Sequence, residues 1–270
     1  MTHMHTGERL VEESYQSSLE DYVIYLMHLA AYRFAESYTT GKRVLDYGCG
    51  TGYGAALVAR TAASVCAVDV AKDAIAFAQA KYSAPNLAFT SIAVDGRVPA
   101  QNASFDTVLS FQVIEHIHVP DLYLREARRV LAPEGTLLVV TPDRANRLLP
   151  GQRPWNRWHV REFNGRSLEA LLRRHFSRVE MRRMSGRPEL AQVELRRWRK
   201  TKWLTLPLTL PIWPDRVRVG FLNIVHAMRP KGAQHQAVRT FPFDLSAIHI
   251  APEALPSLNL VAAASAGLAQ

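Results

Sequence analysis

A chain of 270 residues with 48% hydrophobic content is long enough for one elaborated domain with a sizeable core. Its two cysteines, Cys49 and Cys66, exclude a disulfide-built scaffold, and no run reaches the ~18 apolar residues of a spanning helix. The net charge of +9 is lopsided, with −3 on residues 1–130 and +12, mostly arginine, on residues 131–270. Met1–Arg9 is polar and unlike a signal peptide, so a cytoplasmic location is expected.

Leu19, Tyr22, Val23, Leu26, Leu29 and Ala30 recur at helical spacing, which predicts one or two helices over 10–39. Gly41 ends them. The stretch Val44-Leu45-Asp46-Tyr47-Gly48-Cys49-Gly50-Thr51-Gly52-Tyr53-Gly54 then reads as a buried strand, a glycine loop and a helix start. Gly50, Gly52 and Ala55 also satisfy a permissive dinucleotide spacing. Asp46 argues against that reading, because a carboxylate at the strand tip repels a pyrophosphate and suits a cationic group.

Val44–Gly54 resembles the first motif of class I S-adenosylmethionine-dependent methyltransferases, hydrophobic-x-Asp-x-Gly-x-Gly-x-Gly. The resemblance implies a Rossmann-like α/β sheet of seven strands, mostly parallel, with the last strand antiparallel. It implies S-adenosylmethionine as cofactor, held by Asp46, Gly48, Gly50 and Gly52. Residues 1–40 become a helical cap over the cofactor, where Tyr15, Tyr22, Tyr32 and Arg33 could line the substrate pocket.

Ser64–Val70 reads as the second strand, tipped by Asp69 and Val70. A carboxylate there offers two acceptors to two ribose hydroxyls. A helix over 71–82 and a strand over 87–92 follow. Asp95-Gly96 matches the family's adenine contact. Ser104–Phe111 is the fourth strand and its lead-in, and runs into Gln112-Val113-Ile114-Glu115-His116. Phe111 and Gln112 are assigned to the cofactor, and His116 falls beside the expected methyl group, at the carboxyl edge where α/β sheets place ligands. The chain lacks the Asn/Asp-Pro-Pro-aromatic element of base-nitrogen methylases and the Pro-Cys nucleophile of cytosine-C5 enzymes.

An amphipathic helix over 121–131 leads to a fifth strand over 136–141. A long loop then carries Trp155, Trp158, His159 and Arg161, and a helix is predicted over 167–174. The element His159-Val160-Arg161-Glu162-Phe163 resembles a saccharide- and glycan-modifying subgroup. His159 is a candidate second base, and Tyr15, Trp155, Trp158 and Arg161 are candidate substrate contacts. A sixth strand is read over 176–183 and the last over 247–265. The methyltransferase core therefore comprises 41–184 and 246–270. A basic, Trp-rich insertion occupies 185–245, with Leu204–Trp213 read as a proline-spaced apolar run.

The expected reaction is methyl transfer to a hydroxyl of a saccharide or glycan-like metabolite. Histidine suits the base that such an oxygen needs. Alternatives are a quinone or secondary-metabolite methyltransferase, an RNA methyltransferase, or a non-enzymatic cofactor-binding regulator. Quinone O-methyltransferases resemble residues 112–116 but carry Glu-x-x-Glu-His. Gln112 replaces their first carboxylate here, so no metal is expected. The insertion suggests peripheral contact with the inner membrane face or a lipid-linked substrate, with nucleic acid ranked below both. The sequence sets no oligomeric state.

Overall fold

Val44, Leu45, Asp46 and Tyr47 are buried in succession in β1 (Arg43–Tyr47). Unbroken buried runs of this kind fit a parallel sheet covered on both faces. The computed structural model describes residue 15 and residues 18–227 and 241–266. Within it β2 (Ser64–Asp69), β3 (Leu87–Ser91), β4 (Phe105–Phe111) and β5 (Leu131–Pro142) join β1 in the order β3-β2-β1-β4-β5, all parallel.

The far side of the sheet departs from the expected seven strands. β6 (Arg178–Gly186), β7 (Ile248–Ala251) and β8 (Asn259–Ser265) complete an eight-stranded sheet in the order β5-β8-β6-β7. β8 lies antiparallel between β5 and β6, and β7 pairs antiparallel with the outer edge of β6. The stretch 247–265 is thus two strands. Pro252 and Pro256 lie between them and supply no backbone N–H to a ladder, which breaks the run.

Helices cover both faces. α1 (Leu19–Thr39) is started by Ser18, whose hydroxyl accepts from the Asp21 amide, and Glu20 and Asp21 suit the positive helix start. One apolar layer joins the sheet to α1, α2 (Tyr53–Val58), α3 (Lys72–Lys81) and α7 (Pro188–Thr209). The other joins it to α4 (Pro120–Val130) and α6 (Gly165–Leu172). A short α5 (Arg144–Arg147) follows β5, and α8 (Asp215–Ala227) follows α7 between β6 and β7. The first part of the run 204–213 is helical. α7 continues through Pro207 to Thr209, and the Trp213 indole donates to the Pro207 carbonyl at 2.8 Å.

Candidate functional site

The carboxyl ends of β1, β2 and β4 meet along one edge of the sheet. The glycine loop follows β1 there, with Gly50 at φ +54° and Gly52 at φ +82°, both left-handed. A side chain on Gly52 would meet Phe89 and Ala78 at under 2.8 Å, so Gly52 is closed by packing. Gly50 has nothing within 4 Å on its open side, which leaves its backbone approachable by a ligand. Gly54 is fixed by a neighbour, since a Cβ there would lie 1.8 Å from the Tyr32 ring. Gly54→Ala is expected to lower stability by about 1–3 kcal/mol in urea unfolding, because the ring cannot stay in place.

Tyr32 matters because its hydroxyl donates to Asp46 Oδ2 at 3.1 Å. Asp46 is buried, and its Oδ1 has no hydrogen-bond partner among the described residues. Burial pushes its carboxyl up to about 7 against the opposing Tyr32 bond, and nearby Asp69 adds to the rise. An orphaned carboxylate oxygen beside an open glycine cradle fits a ligand that brings a cation.

Asp69 has a structural task as well as the expected one. Its Oδ2 accepts from the Gly50 amide at 2.9 Å and its Oδ1 from the Ala71 amide at 2.8 Å, tying the glycine loop to the β2 tip. Each ionised oxygen keeps a second acceptor site. Val70 beside it is half exposed, an apolar side chain left open at the groove. Asp95 is exposed and accepts from the Arg97 amide at 3.0 Å. The Tyr47 hydroxyl donates to the Gly96 carbonyl, which anchors that turn to β1. Phe111 is buried with its ring edge-on to Tyr32 at 5.0 Å.

Gln112, at the β4 tip, sits at φ +57°, a conformation costing a non-glycine residue about 1–3 kcal/mol. Its amide donates to the Val140 carbonyl at 2.7 Å, and it lines a cavity of about 250 Å³. The cavity walls come from α1, the β4 and β5 tips, the loop 155–159 and α7. His116 closes a helical turn, Ile114–His116, just after Gln112. Its Nδ1 lies 3.0 Å from the Trp158 carbonyl. A carbonyl only accepts, so Nδ1 carries the proton and Nε2 is the basic nitrogen. His159, buried, meets His116 edge-to-face at 4.8 Å between ring centres.

Behind His159 stands a buried carboxylate. Glu162 Oε1 is 2.9 Å from His159 Nδ1, and Arg147 donates to both Glu162 oxygens at 3.0 Å. Burial alone would raise the Glu162 carboxyl, but Arg147 and His159 hold it down to about 2. The ionised carboxylate assigns the His159 proton to Nδ1 and leaves Nε2 basic. Glu115 Oε2 accepts from Thr141 at 2.9 Å, while its buried Oε1 has no hydrogen-bond partner among the described residues. One ligand-type atom from each of Glu115, His116 and His159 lies within 4.8 Å of the others.

The rest of the cavity is aromatic and arginine-rich. The Arg147 guanidinium lies 4.4 Å from the Trp155 ring and 5.4 Å from Trp198. Both indole N–H groups are buried without a hydrogen-bond partner among the described residues. Arg197 pairs with buried Glu194, and Arg157 donates to Asn223 at 2.9 Å.

Of the expected substrate residues, Trp155 lines the cavity and Trp158, exposed, forms part of its rim. Tyr15 and Arg161 do not line it. Tyr15 is buried and stacks on Tyr25 at 4.4 Å. Arg161 donates to the His118 carbonyl at 2.9 Å, outside the cavity wall. Glu162, Arg147, Glu115 and Trp198 were not expected. Glu162 lies in the same loop as His159, three residues on, which is the signal for the first of them. Nothing in the sequence places Trp198 opposite Trp155.

Residues 45–139 match the methyltransferase domain family. A Mycobacterium tuberculosis protein named "Probable S-adenosylmethionine-dependent methyltransferase" is 37% identical over 168 residues, covering 62% of this chain and 58% of the relative. The chain thus spans a little over half the length of that relative. A Paracidovorax citrulli ubiquinone biosynthesis O-methyltransferase is 32% identical over 107 residues, covering 38% of this chain and 45% of that protein. A Thermotoga maritima structure described as a possible histamine N-methyltransferase superposes with a TM-score of 0.56 at 14% identity, covering 90% of this chain and 91% of that one. The [4+2]-cyclase SpnF superposes at 0.54 with 19% identity, covering 89% and 80%, so the fold by itself does not name a reaction. Residues 45–139 thus carry the sequence of a methyltransferase domain, with the glycine loop at the tip of β1, and the matches support S-adenosylmethionine as cofactor.

Proposed function

We propose that the chain transfers a methyl group from S-adenosylmethionine to a hydroxyl of a saccharide or glycan-like metabolite. One observation carries this reading: the His159–Glu162 couple stands at an aromatic cavity by the β4 tip in which Arg147 and Arg197 are each paired with a buried carboxylate. An oxygen acceptor needs a base, and a histidine backed by a carboxylate is one. The Trp155 and Trp198 rings and their N–H groups suit the flat faces and hydroxyls of a sugar.

Asp46, Gly48, Gly50 and Gly52 would hold the amino-acid end of the cofactor, Asp69 and Val70 the ribose, and Asp95 and Gly96 the adenine. Phe111 and Gln112 would flank its centre. When bound, S-adenosylmethionine supplies a methyl activated by a cationic sulfur. His159 Nε2 takes the acceptor proton, and Glu162 stabilises the resulting imidazolium across 2.9 Å. Glu115 Oε1 accepts from a neighbouring hydroxyl and orients the acceptor. The helices α1 and α7 wall the cavity and keep water out.

The raised Asp46 carboxyl makes cofactor affinity depend on pH. Its ionised form pairs with the cofactor ammonium, and the fraction ionised rises through its value of about 7. Affinity should therefore increase about tenfold between about pH 5.5 and 7, measured by calorimetry, and Asp46→Asn should flatten that slope.

The chemistry proposed uses no metal. Incubation with a chelator should leave turnover unchanged. Loss on chelation with recovery on adding Mg²⁺ would instead put an ion on Glu115, His116 and His159. The acceptor is tested by mass spectrometry of neutral glycans, quinones and RNA after incubation with cofactor. A gain of one methyl on the glycan supports the reading. A gain only on the quinone favours the second reading, for which the ubiquinone O-methyltransferase relatives argue.

A further inference from the structure

The helix that walls the cavity has a second face. In α7 the inward residues Glu194, Trp198, Thr201 and Thr205 line the cavity. Residues 196, 199, 200, 203, 204 and 207 are exposed and recur every three or four positions, which makes one outer stripe. Its first half is cationic, with Arg196, Arg199 and Lys200. Its second half is apolar, with Trp203 at 58% and Leu204 at 67% exposure. The apolar surface continues through Ile212, 72% exposed, and Trp213, and along α8 through Val217, Phe221 and Ile224.

Large apolar side chains scattered singly need no explanation, but a contiguous patch marks a contact surface. Charge selects the partner here. Between 196 and 224 the exposed cations are Arg196, Arg199, Lys200 and Arg216, and the exposed acid is Asp215, already paired with Arg153 at 3.0 Å. Exposed tryptophans and aliphatics flanked by cations match the interface of an anionic bilayer, where apolar groups enter below the headgroups and cations meet them. No helix among the described residues is long and apolar enough to cross a membrane, so the contact is with the surface.

We infer that the outer face of α7 and α8 docks on an anionic lipid bilayer, with apolar insertion by Trp203, Leu204, Ile212 and Phe221. The same helix would then hold the cavity at the bilayer surface, within reach of an acceptor attached to lipid. This docking does not depend on which acceptor is methylated.

Flotation of the full chain with phosphatidylcholine vesicles containing about 30% phosphatidylglycerol tests it, at about 0.1 M and 0.5 M salt. The chain should float with these vesicles, far less with pure phosphatidylcholine, and less at high salt. The variant Trp203→Ser/Leu204→Ser/Ile212→Ser should bind at least about tenfold more weakly. It should keep the parent's thermal midpoint and cofactor affinity, since none of the three contributes to the cofactor groove. Failure of the parent to float with anionic vesicles overturns the inference, as does equal flotation of the variant. A dimer that the triple variant dissociates, without vesicle binding by the parent, would assign the patch to a second copy and also overturn it.

Discussion

Glu162→Ala is expected to lower the unfolding free energy by about 3–5 kcal/mol, more than any other single change at the site. The Glu162 side chain has no solvent exposure and that of Arg147 is 5% exposed, so the substitution leaves a buried guanidinium without its counter-charge. The His159 Nδ1–H loses its acceptor in the same step. The double variant Arg147→Met/Glu162→Leu should recover much of the loss, because it removes both charges and keeps bulk between Trp155 and Trp198.

The pH dependence has a definite sign. The Glu162 carboxyl falls from a reference of 4.5 to about 2 on folding. Its contribution is therefore present above pH 4.5 and is lost as pH falls toward 2. That shift corresponds to about 3 kcal/mol. Urea unfolding at neutral and acid pH checks it: the parent should weaken on the acid side, and Glu162→Ala should lack that component. Equal acid sensitivity in both proteins would remove Glu162 from the account.

The second large effect is on turnover. His159→Asn is expected to lower kcat by about 10²–10⁴-fold while cofactor affinity stays within about twofold. His116→Asn should cost less. Sequence position put His116 first, since it follows directly from the β4 tip. The mechanism proposed above ranks His159 first, because it has an ionised carboxylate behind it and His116 has a neutral carbonyl. A neutral dipole stabilises an imidazolium less than a full charge does. Loss of turnover in His116→Asn alone would return the base to His116.

The glycine loop and the strand tips around it were legible in the sequence because they are local. A strand, four alternating glycines and a helix start lie within a dozen residues, and Asp46, Asp69 and Asp95 each lie at or just beyond the end of a strand that hydrophobicity locates. Buried parallel strands announce themselves as unbroken apolar runs, so β1 to β5 were found to within a few residues apart from the early start of β5. What the residues do was less legible. The ties from Asp69 to the Gly50 amide and from Tyr32 to Asp46 span 19 and 14 positions, and no periodicity encodes them.

The acceptor half depends on contacts between distant elements. Trp155 and Trp198 bracket Arg147 although they stand far apart in sequence. Trp198 is buried while Trp203, one turn and a half further along the same helix, is exposed. Composition counts both as tryptophans of a basic segment. By itself the sequence determined the α/β sheet and the nucleotide-type loop, since those follow from short-range pattern, and the resemblance of Val44–Gly54 to the methyltransferase motif implied the cofactor. The tertiary structure alone decided that Glu162 and Arg147 sit behind His159 and which face of α7 meets the cavity. Those depend on which side chains lose water together, and that is set by how the helices pack across the sheet.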